Sequence, residues 1–568
     1  MPSLEIALKD KNLVQSFSGV RSVLGLGPKL APEHALLVSC YGYGYISLFD
    51  RSEPAAILIG RDPRPTGAAI ALELARGFLA GGIAFDIPIQ IVDLGIITTP
   101  LAQTAVRELG LQGGVIITAS HNPLNHNGFK FLTGINQNSH RHAPAGALLS
   151  AEVMEELIRI VQSFASNPPD FSAISNELLN VTLAGSKDDN SRVRAERAYL
   201  DVIGRDWGIT PHCLKPLTLG PVLVDPNGGA GCGIDARVLE HFGVRVIEVN
   251  AETGYPEHAI DTDGIDPASG RHTLLRVARA TARERAHFGV AFDYDADRGN
   301  LVLPGQDESA IVPPQQAASL NIALALARRK VRGEDAAPLA VVTSDATSLA
   351  SYAVARAFGA EVFTVETGEI NVVTRMSQLR SEGYDVPVGV EGANGGTIFE
   401  SSTCRDGLQV ALSAAEAEAN PDIAGEWMHV AGQMGLGASF TSELPSLEDI
   451  LKSIPTAFNR MLRLSSAPGE DAGILHKLEK SFEEKTWPQL AESFGSYQFQ
   501  YFSGACQVAS LLGLSGSWRV MLGDEEGFIF LRQSRTERGV WRLIVDVVDE
   551  KRFTLCSQQA VSLWNDVT

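Results

Sequence analysis

The sequence predicts an α/β protein of several domains: three related α/β domains followed by a smaller α+β domain. Three observations carry this. The chain has 568 residues, more than one hydrophobic core organises, so three or four domains are expected. Three segments repeat one layout of strand, turn and helix. The tail departs from that layout.

The repeats begin at Ala55 ("AAILIGRDPRPTGAAIALELARGFLAGG"), Gly220 ("GPVLVDPNGGAGCGIDARVLEHFGVRVIEV") and Pro338 ("PLAVVTSDATSLASYAVARAFGAEVFTV"). Each opens with a short β-rich apolar run, passes a small or polar turn and enters an amphipathic helix. The second and third close with a glycine and another strand; the first runs past Gly82 toward "IQIVDLG". Strand–helix–strand order implies parallel pairing. The starts lie too far apart for a short-period solenoid. Boundaries fall in the polar stretch Asn180–Arg197, the loop Leu303–Pro314 and the proline-terminated helix Ser442–Pro455. The expected domains are therefore 1–190, 191–305, 306–455 and 456–568. The last, with "WRVMLGDEEGFIFLRQSRTERGVWRLIVDVVD", reads as short strands between turns, preceded by helices.

Composition excludes some functions. A net charge of −20 argues against nucleic acid as a partner, though a local basic pocket can still take a small anion. The six cysteines, Cys40, Cys213, Cys232, Cys404, Cys506 and Cys556, never form CxxC, which suggests reduced thiols in a cytoplasmic protein without a zinc site. No apolar run is expected to span a bilayer, and the N-terminal stretch does not read as a signal peptide.

Four stretches carry chemistry. In "GGVIITASHNPLNHNGFK" a buried-strand pattern ends at Thr118, so Ser120 is presented at the carboxyl end of a sheet, where α/β proteins bind ligands. It reads as a nucleophile or phosphate carrier, against the plainer reading of a helix N-cap. A Ser–His hydrolase is disfavoured, because sequence neighbours rarely form the nucleophile–base bond and no Gly-x-Ser-x-Gly elbow is present. In "AFDYDADRGN", Asp293, Asp295 and Asp297 alternate and can converge on a hard divalent cation. An EF-hand is excluded, since its glycine position holds Arg298 and its glutamate position Pro304. With no Cys or His nearby, Mg²⁺ suits the set better than zinc. In "VEGANGGTIFESSTCRDG", Glu391 and Asn394 can read sugar hydroxyls or simply form a tight turn, and Arg405 faces a ligand or caps a helix. In "FLRQSRTERGVWR", Arg532, Ser534 and Thr536 form either a phosphate cradle or a basic surface strand.

Together and in this order, these stretches resemble the α-D-phosphohexomutase family. The landmarks are Phe17–Arg21, Thr118–Pro123 with Asn127–Lys130, Asp293–Arg298, Glu391–Asn394 with Arg405–Gly407, and Arg532–Glu537. The resemblance implies four domains around a central cleft, three of related topology with mixed sheets. It implies a hexose 1-phosphate/6-phosphate mutase, an isomerase in which Ser120 carries the phosphoryl group, primed by a hexose 1,6-bisphosphate. It further implies one Mg²⁺ per chain on Asp293, Asp295, Asp297 and the phosphorylated Ser120. Lys130 and Arg21 would flank the reacting oxygens, with Lys130 suited to proton transfer. His121 would brace the loop, and Glu391 and Asn394 would read the sugar. Arg298, Arg405, Arg532, Ser534, Arg535 and Thr536 would hold phosphate. Glucose or mannose phosphates are the expected substrates; a phosphoglucosamine mutase and a non-catalytic sugar-phosphate binder are the alternatives. A monomer or homodimer is expected.

The sequence departs from the family pattern in places. Arg535 and Arg538 stand where the last loop usually has glycine and proline. The sugar loop "EGANGG" lacks the serine and histidine of common bacterial versions. Glu369 stands where some relatives have histidine.

Overall fold

The computed structural model describes residues 2–135, 143–186, 189–214, 220–260, 262, 264–266, 269–334, 337–436, 445–465, 474–511, 516–533 and 540–567. The chain divides into two units. One holds Met1–Val312 and Ile398–Ala419, the other Pro313–Thr397 and Asn420–Thr568.

Among the described residues the first unit contains two large sheets and two short two-stranded ones. Strands β1 (Val14–Ser16), β2 (Gly19–Ser22), β3 (Ala55–Arg61), β4 (Ile89–Ile96), β5 (Gly113–Ile117) and β6 (Asn127–Thr133) form one, in the order β1-β2-β6-β5-β3-β4. β3 pairs parallel with β4 and β5, whereas β6 runs antiparallel to β5 and to β2. The crossover helices are α1 (Gly67–Phe85) and α2 (Thr99–Glu108). Strands β7 (Val222–Asp225), β8 (Val246–Glu248), β9 (Gly289–Phe292) and β10 (Gly299–Val302) form the second sheet, in the order β8-β7-β9-β10. Again the first three strands are parallel and the fourth antiparallel. The central strands are enclosed on both faces, which is why they read as continuous apolar runs rather than alternating ones: Ile57, Leu58 and Ile59 are all buried.

α1 corrects one expectation. Its 19 residues, at a mean hydropathy of 1.5, are long and apolar enough to cross a membrane. Its place in the fold accounts for the composition: it is the crossover between β3 and β4, and Ile70, Leu74 and Phe78 are buried in the core.

A further sheet repeats the plan. β11 (Leu339–Ser344), β12 (Glu361–Val365), β13 (Asp385–Glu391) and β14 (Gly396–Phe399) lie in the order β12-β11-β13-β14, with β11 parallel to β12 and β13. The tail is an antiparallel sheet of β15 (Phe458–Ser465), β16 (Tyr497–Ser503), β17 (Cys506–Val508), β18 (Ser517–Leu522), β19 (Gly527–Gln533) and β20 (Val540–Val547), in the order β15-β20-β19-β18-β16-β17. Helices cover one face of it, with Trp518, Trp541 and Trp564 in the shared core. This is the expected α+β domain.

The sheets are mixed because each repeat runs β-α-β-α-β and then returns through a short turn, and a short turn can only deliver an antiparallel strand. That turn has one topological address in all three repeats: the carboxyl end of the third strand. It holds residues 118–126 after β5, 293–298 after β9 and 392–395 after β13. Three of the four chemistry-bearing motifs of the sequence therefore occupy equivalent positions.

Candidate active site

Ser120 sits in the turn between β5 and β6. No helix follows, so the N-cap reading is excluded. Its φ of 51° is left-handed, a conformation that costs a non-glycine residue about 1–3 kcal/mol and needs support from its surroundings. Some of that support is local: the Ser120 N–H donates to Thr118 Oγ1 at 2.8 Å. The side chain is buried, with Oγ donating to Asp293 Oδ2 at 3.0 Å and lying 3.4 Å from His121 Nδ1.

Asp293, Asp295 and Asp297 converge, with one carboxylate oxygen from each lying within 4.8 Å of the others. All three are buried. Cationic groups surround them. Arg298 Nε donates to Asp293 Oδ2 at 3.1 Å, and the Arg298 N–H donates to Asp293 Oδ1 at 3.1 Å. Lys130 Nζ lies 3.3 Å from Asp295 Oδ2 and 3.6 Å from Asp297 Oδ2. Arg405 Nη2 reaches Asp297 Oδ2 at 2.5 Å. Thr99 adds a hydroxyl, donating to Asp295 Oδ2 at 3.0 Å.

Electrostatics separates the carboxylates. Burial, reinforced by the charge of Asp297, pushes the Asp293 carboxyl up to about 8. Burial also works against the charged form of Asp297, but Arg405, Lys130 and Arg298 outweigh it and hold this group well below the usual carboxylate range. Two buried oxygens, Asp295 Oδ1 and Asp297 Oδ1, accept no hydrogen bond. Buried anionic acceptors without donors are costly, and a hard cation is the partner that an all-oxygen set fits.

Register places the two bases beside this cluster. β2 pairs with β6 so that Arg21 stands opposite Gly128, two residues before Lys130. Gly128 is required there, since a Cβ would lie 2.2 Å from Val20 O and 2.7 Å from Arg21 Cγ. Arg21 and Lys130 are both buried, and the Arg21 guanidinium lies within the electrostatic reach of Asp295, Arg405, Asp297 and Arg64. Arg405 is brought in by a second close approach. A Cβ on Gly407 would lie 2.4 Å from the Arg298 carbonyl carbon. Neighbouring Asp406 is wholly buried and accepts from the Tyr199 hydroxyl, the Ser402 hydroxyl and the Gln409 N–H. The reading of this turn as an exposed cap is thereby excluded.

The first unit thus assembles Ser120, His121, Lys130, Arg21, Asp293, Asp295, Asp297, Arg298 and Arg405. The second unit carries Glu391, Asn394 and Arg532. Glu391 is buried at the end of β13, and Asn394 Oδ1 accepts from the Gly396 N–H at 2.9 Å, bracing its own turn. Arg532 is the penultimate residue of β19 and donates to the Thr367 carbonyl at 2.5 Å, in the turn that leads to Glu369. Its side chain is half-buried and tied to that turn. Ser534, Arg535, Thr536 and Arg538 lie outside the described residues.

The motifs missed Thr99 and Arg64. Arg64 is enclosed beneath the serine turn. The available signal was the charged run Arg61-Asp62-Pro63-Arg64 directly after a buried strand, a placement typical of binding residues.

Comparison with known proteins agrees with this geometry. Residues 14–142 match the family model described as phosphoglucomutase/phosphomannomutase, alpha/beta/alpha domain I, and residues 319–426 match domain III. The chain is 26% identical over 359 residues to a probable phosphoglucosamine mutase of Pyrococcus abyssi, covering 63% of this chain and 66% of the relative. It is 26% identical over 406 residues to a phosphoglucomutase/phosphomannomutase of Thermococcus kodakarensis, covering 70% and 75%. Two further phosphoglucosamine mutases are spanned over 53% and 52% of their length, so the chain covers only about half to two-thirds of several relatives. The crystal structure of a phosphoglucomutase/phosphomannomutase family protein from Burkholderia thailandensis shares the fold with a TM-score of 0.64 at 17% identity, over 100% of this chain and 98% of that one. Two segments of the chain thus match the family models of phosphoglucomutase/phosphomannomutase domains I and III, and the relatives and the structural neighbour carry phosphohexomutase names.

Proposed function

We propose that the protein is a phosphohexomutase, an isomerase that interconverts hexose 1-phosphates and hexose 6-phosphates through a phosphoserine at Ser120 and a bisphosphorylated sugar. The observation that carries this is the contact of Ser120 Oγ with Asp293, inside a carboxylate cluster ringed by Lys130, Arg298 and Arg405. Phosphoryl transfer asks for positioning and charge neutralisation rather than new covalent chemistry. This arrangement supplies both.

The residue roles follow from charge and reach. Ser120 gives its phosphoryl group to the free hydroxyl of the sugar phosphate; after the bisphosphate reorients, Ser120 takes the other phosphoryl back. Lys130 is the proton-transfer residue, because an ammonium can lose its proton and the Arg21 guanidinium effectively cannot. Arg21, Arg298 and Arg405 hold charge on the transferring group. His121 braces the turn. A single Mg²⁺ held by Asp293, Asp295, Asp297 and the phosphoserine would neutralise charge developing during transfer. Glu391 and Asn394 read sugar hydroxyls, and Arg532 takes the distant phosphate together with Ser534, Arg535 and Thr536. In this reading the chain would divide near 190, 305 and 455 into phosphoserine, metal, sugar and phosphate domains in chain order.

Glucose and mannose phosphates are the proposed substrates. Glucosamine phosphate is the second reading, favoured by relatives that carry the phosphoglucosamine mutase name. The deciding experiment offers the 1-phosphates of glucose, mannose, glucosamine and N-acetylglucosamine, each with its bisphosphate primer and Mg²⁺. Formation of 6-phosphate from glucose or mannose is expected. Inorganic phosphate without isomer would indicate a phosphatase, and no turnover of any member a non-catalytic binder.

A further inference from the structure

Arg64 follows β3 in the run Arg61-Asp62-Pro63-Arg64. Its side chain is fully enclosed. Nη2 donates to the carbonyls of Ser120 and Asn122, both at 2.6 Å. Nη1 donates to the carbonyls of Pro123 at 2.6 Å and His126 at 2.9 Å. Nε donates to Asp62 Oδ2 at 3.1 Å. A guanidinium has five N–H donors in a rigid fork. Here all five are spent inside the protein, four of them on one turn, so none remains for a phosphate.

The anchor of this fork is fixed too. The Asp62 N–H donates to Ile117 O at the end of β5 (3.0 Å), and Asp62 Oδ1 accepts the Arg64 N–H at 3.0 Å. Asp62 also bonds the Thr118 side chain, whose Oγ1 receives the Ser120 N–H. On its other side the guanidinium lies 5.4 Å from the ring centroid of Tyr294, which stands between Asp293 and Asp295. Arg64 therefore touches the turn that carries Ser120 and the turn that carries the aspartates.

We infer that Arg64 is a positioning residue: it gathers the carbonyls of the 120–126 turn and so fixes where Ser120 Oγ stands relative to Asp293. This inference rests on reading Ser120 as the phosphoryl carrier. Four carbonyl dipoles converging on one point repel unless a cation of matching shape lies among them. Lysine offers a point charge with three donors and no fork, so it cannot replace the arginine. A serine displaced by about 1 Å loses roughly a hundredfold in rate, and a loosened turn admits water. In that side reaction water's oxygen bonds to phosphorus, the bond from phosphorus to the Ser120 oxygen breaks, and the water proton ends on the serine, leaving inorganic phosphate.

The test compares Arg64→Lys with the wild-type chain, both with Mg²⁺. Amide hydrogen exchange is read across 118–126, and enzyme primed with labelled glucose 1,6-bisphosphate is scored for label released as phosphate against label passed to sugar. Exchange in the turn is expected to rise about tenfold or more while β3 and β5 keep wild-type rates. The release-to-transfer ratio is expected to rise about tenfold, with kcat down roughly a hundredfold and KM within about threefold. A general structural role would loosen the strands as well and leave the ratio unmoved. Unchanged exchange in the turn, or raised exchange with an unchanged ratio, overturns the inference. Should Arg64→Lys not fold, Asp62→Asn takes its place with the same two readings. If wild-type Ser120 takes no label, the mutase reading fails alone, and the exchange result still decides whether Arg64 holds the turn.

Discussion

At the scale of single residues, buried charges are tolerated only where their partners are in place. His258 shows this outside the serine site. Its side chain is almost wholly buried, with Nε2 at 3.1 Å from Asp225 Oδ2 and Nδ1 at 2.9 Å from Ala259 O. Both ring nitrogens face acceptors, so both must carry a proton. Asp225 is in turn held by the Asn227 N–H and by Asn250 Nδ2, each at 2.9 Å. Burial acts against the imidazolium, but the bond and charge of Asp225 outweigh it and raise the His258 pKa. The stabilisation is then fully present below the unfolded value of about 6.5 and is lost as pH rises through the higher folded value. Between about pH 6 and 9, the melting temperature of the wild-type chain should fall more than that of His258→Gln; parallel curves would contradict this. Residues of this scale were legible in the sequence when they clustered along it. Ser120 and the three aspartates stood in dense runs. Arg64 also stands in a charged run, but its role was not legible there, because its partners are carbonyls 56 to 62 residues away. Nor was the tie from Arg405 to Asp297, which spans 108 residues.

At the scale of elements, the repeated strand–turn–helix layout was legible because buried parallel strands and their crossover helices have distinct apolar periods. The antiparallel fourth strand of each repeat was not legible from that layout. Its direction depends on how few residues the turn spends, which the apolar periods of strands and helices do not report. The pairing of β2 with β6 was equally hidden, being a contact between strands that start more than a hundred residues apart. Gly128 reports on it. Gly128→Ala would force a Cβ into Val20 O and Arg21 Cγ, so β2 or β6 must shift. A loss of about 1–3 kcal/mol is expected from such overpacking, seen as a lower denaturation midpoint, together with a loss of turnover larger than the fraction unfolded explains. A variant as stable and active as the wild-type chain would mean that this register does not set the placement of Arg21 and Lys130.

At the scale of the whole molecule, three related domains and a different tail were legible, whereas the return of residues 398–419 to the first unit was not. That return depends on a backbone approach between Gly407 and Arg298, which no local pattern announces. The division into two units has a thermodynamic consequence. The three aspartates all belong to one unit, and a cation there relieves their mutual repulsion. A ligand at about a hundred times its dissociation constant stabilises the state that binds it by roughly 2.7 kcal/mol. In scanning calorimetry Mg²⁺ should therefore raise the transition of the unit formed by 1–312 and 398–419 and leave the other in place. Asp295→Asn, which removes one charge and one ligand, should need more Mg²⁺ for the same shift. Equal shifts in both transitions, or none in either, would contradict the assignment.

The central claim is that Ser120 carries the phosphoryl group. It is tested most directly by incubating the wild-type chain with labelled glucose 1,6-bisphosphate and Mg²⁺, then mapping the label by peptide sequencing. The account predicts label on Ser120, its disappearance when unlabelled hexose 1-phosphate is added, and no label in Ser120→Ala. Label on a different residue, or label retained by Ser120→Ala, would contradict it.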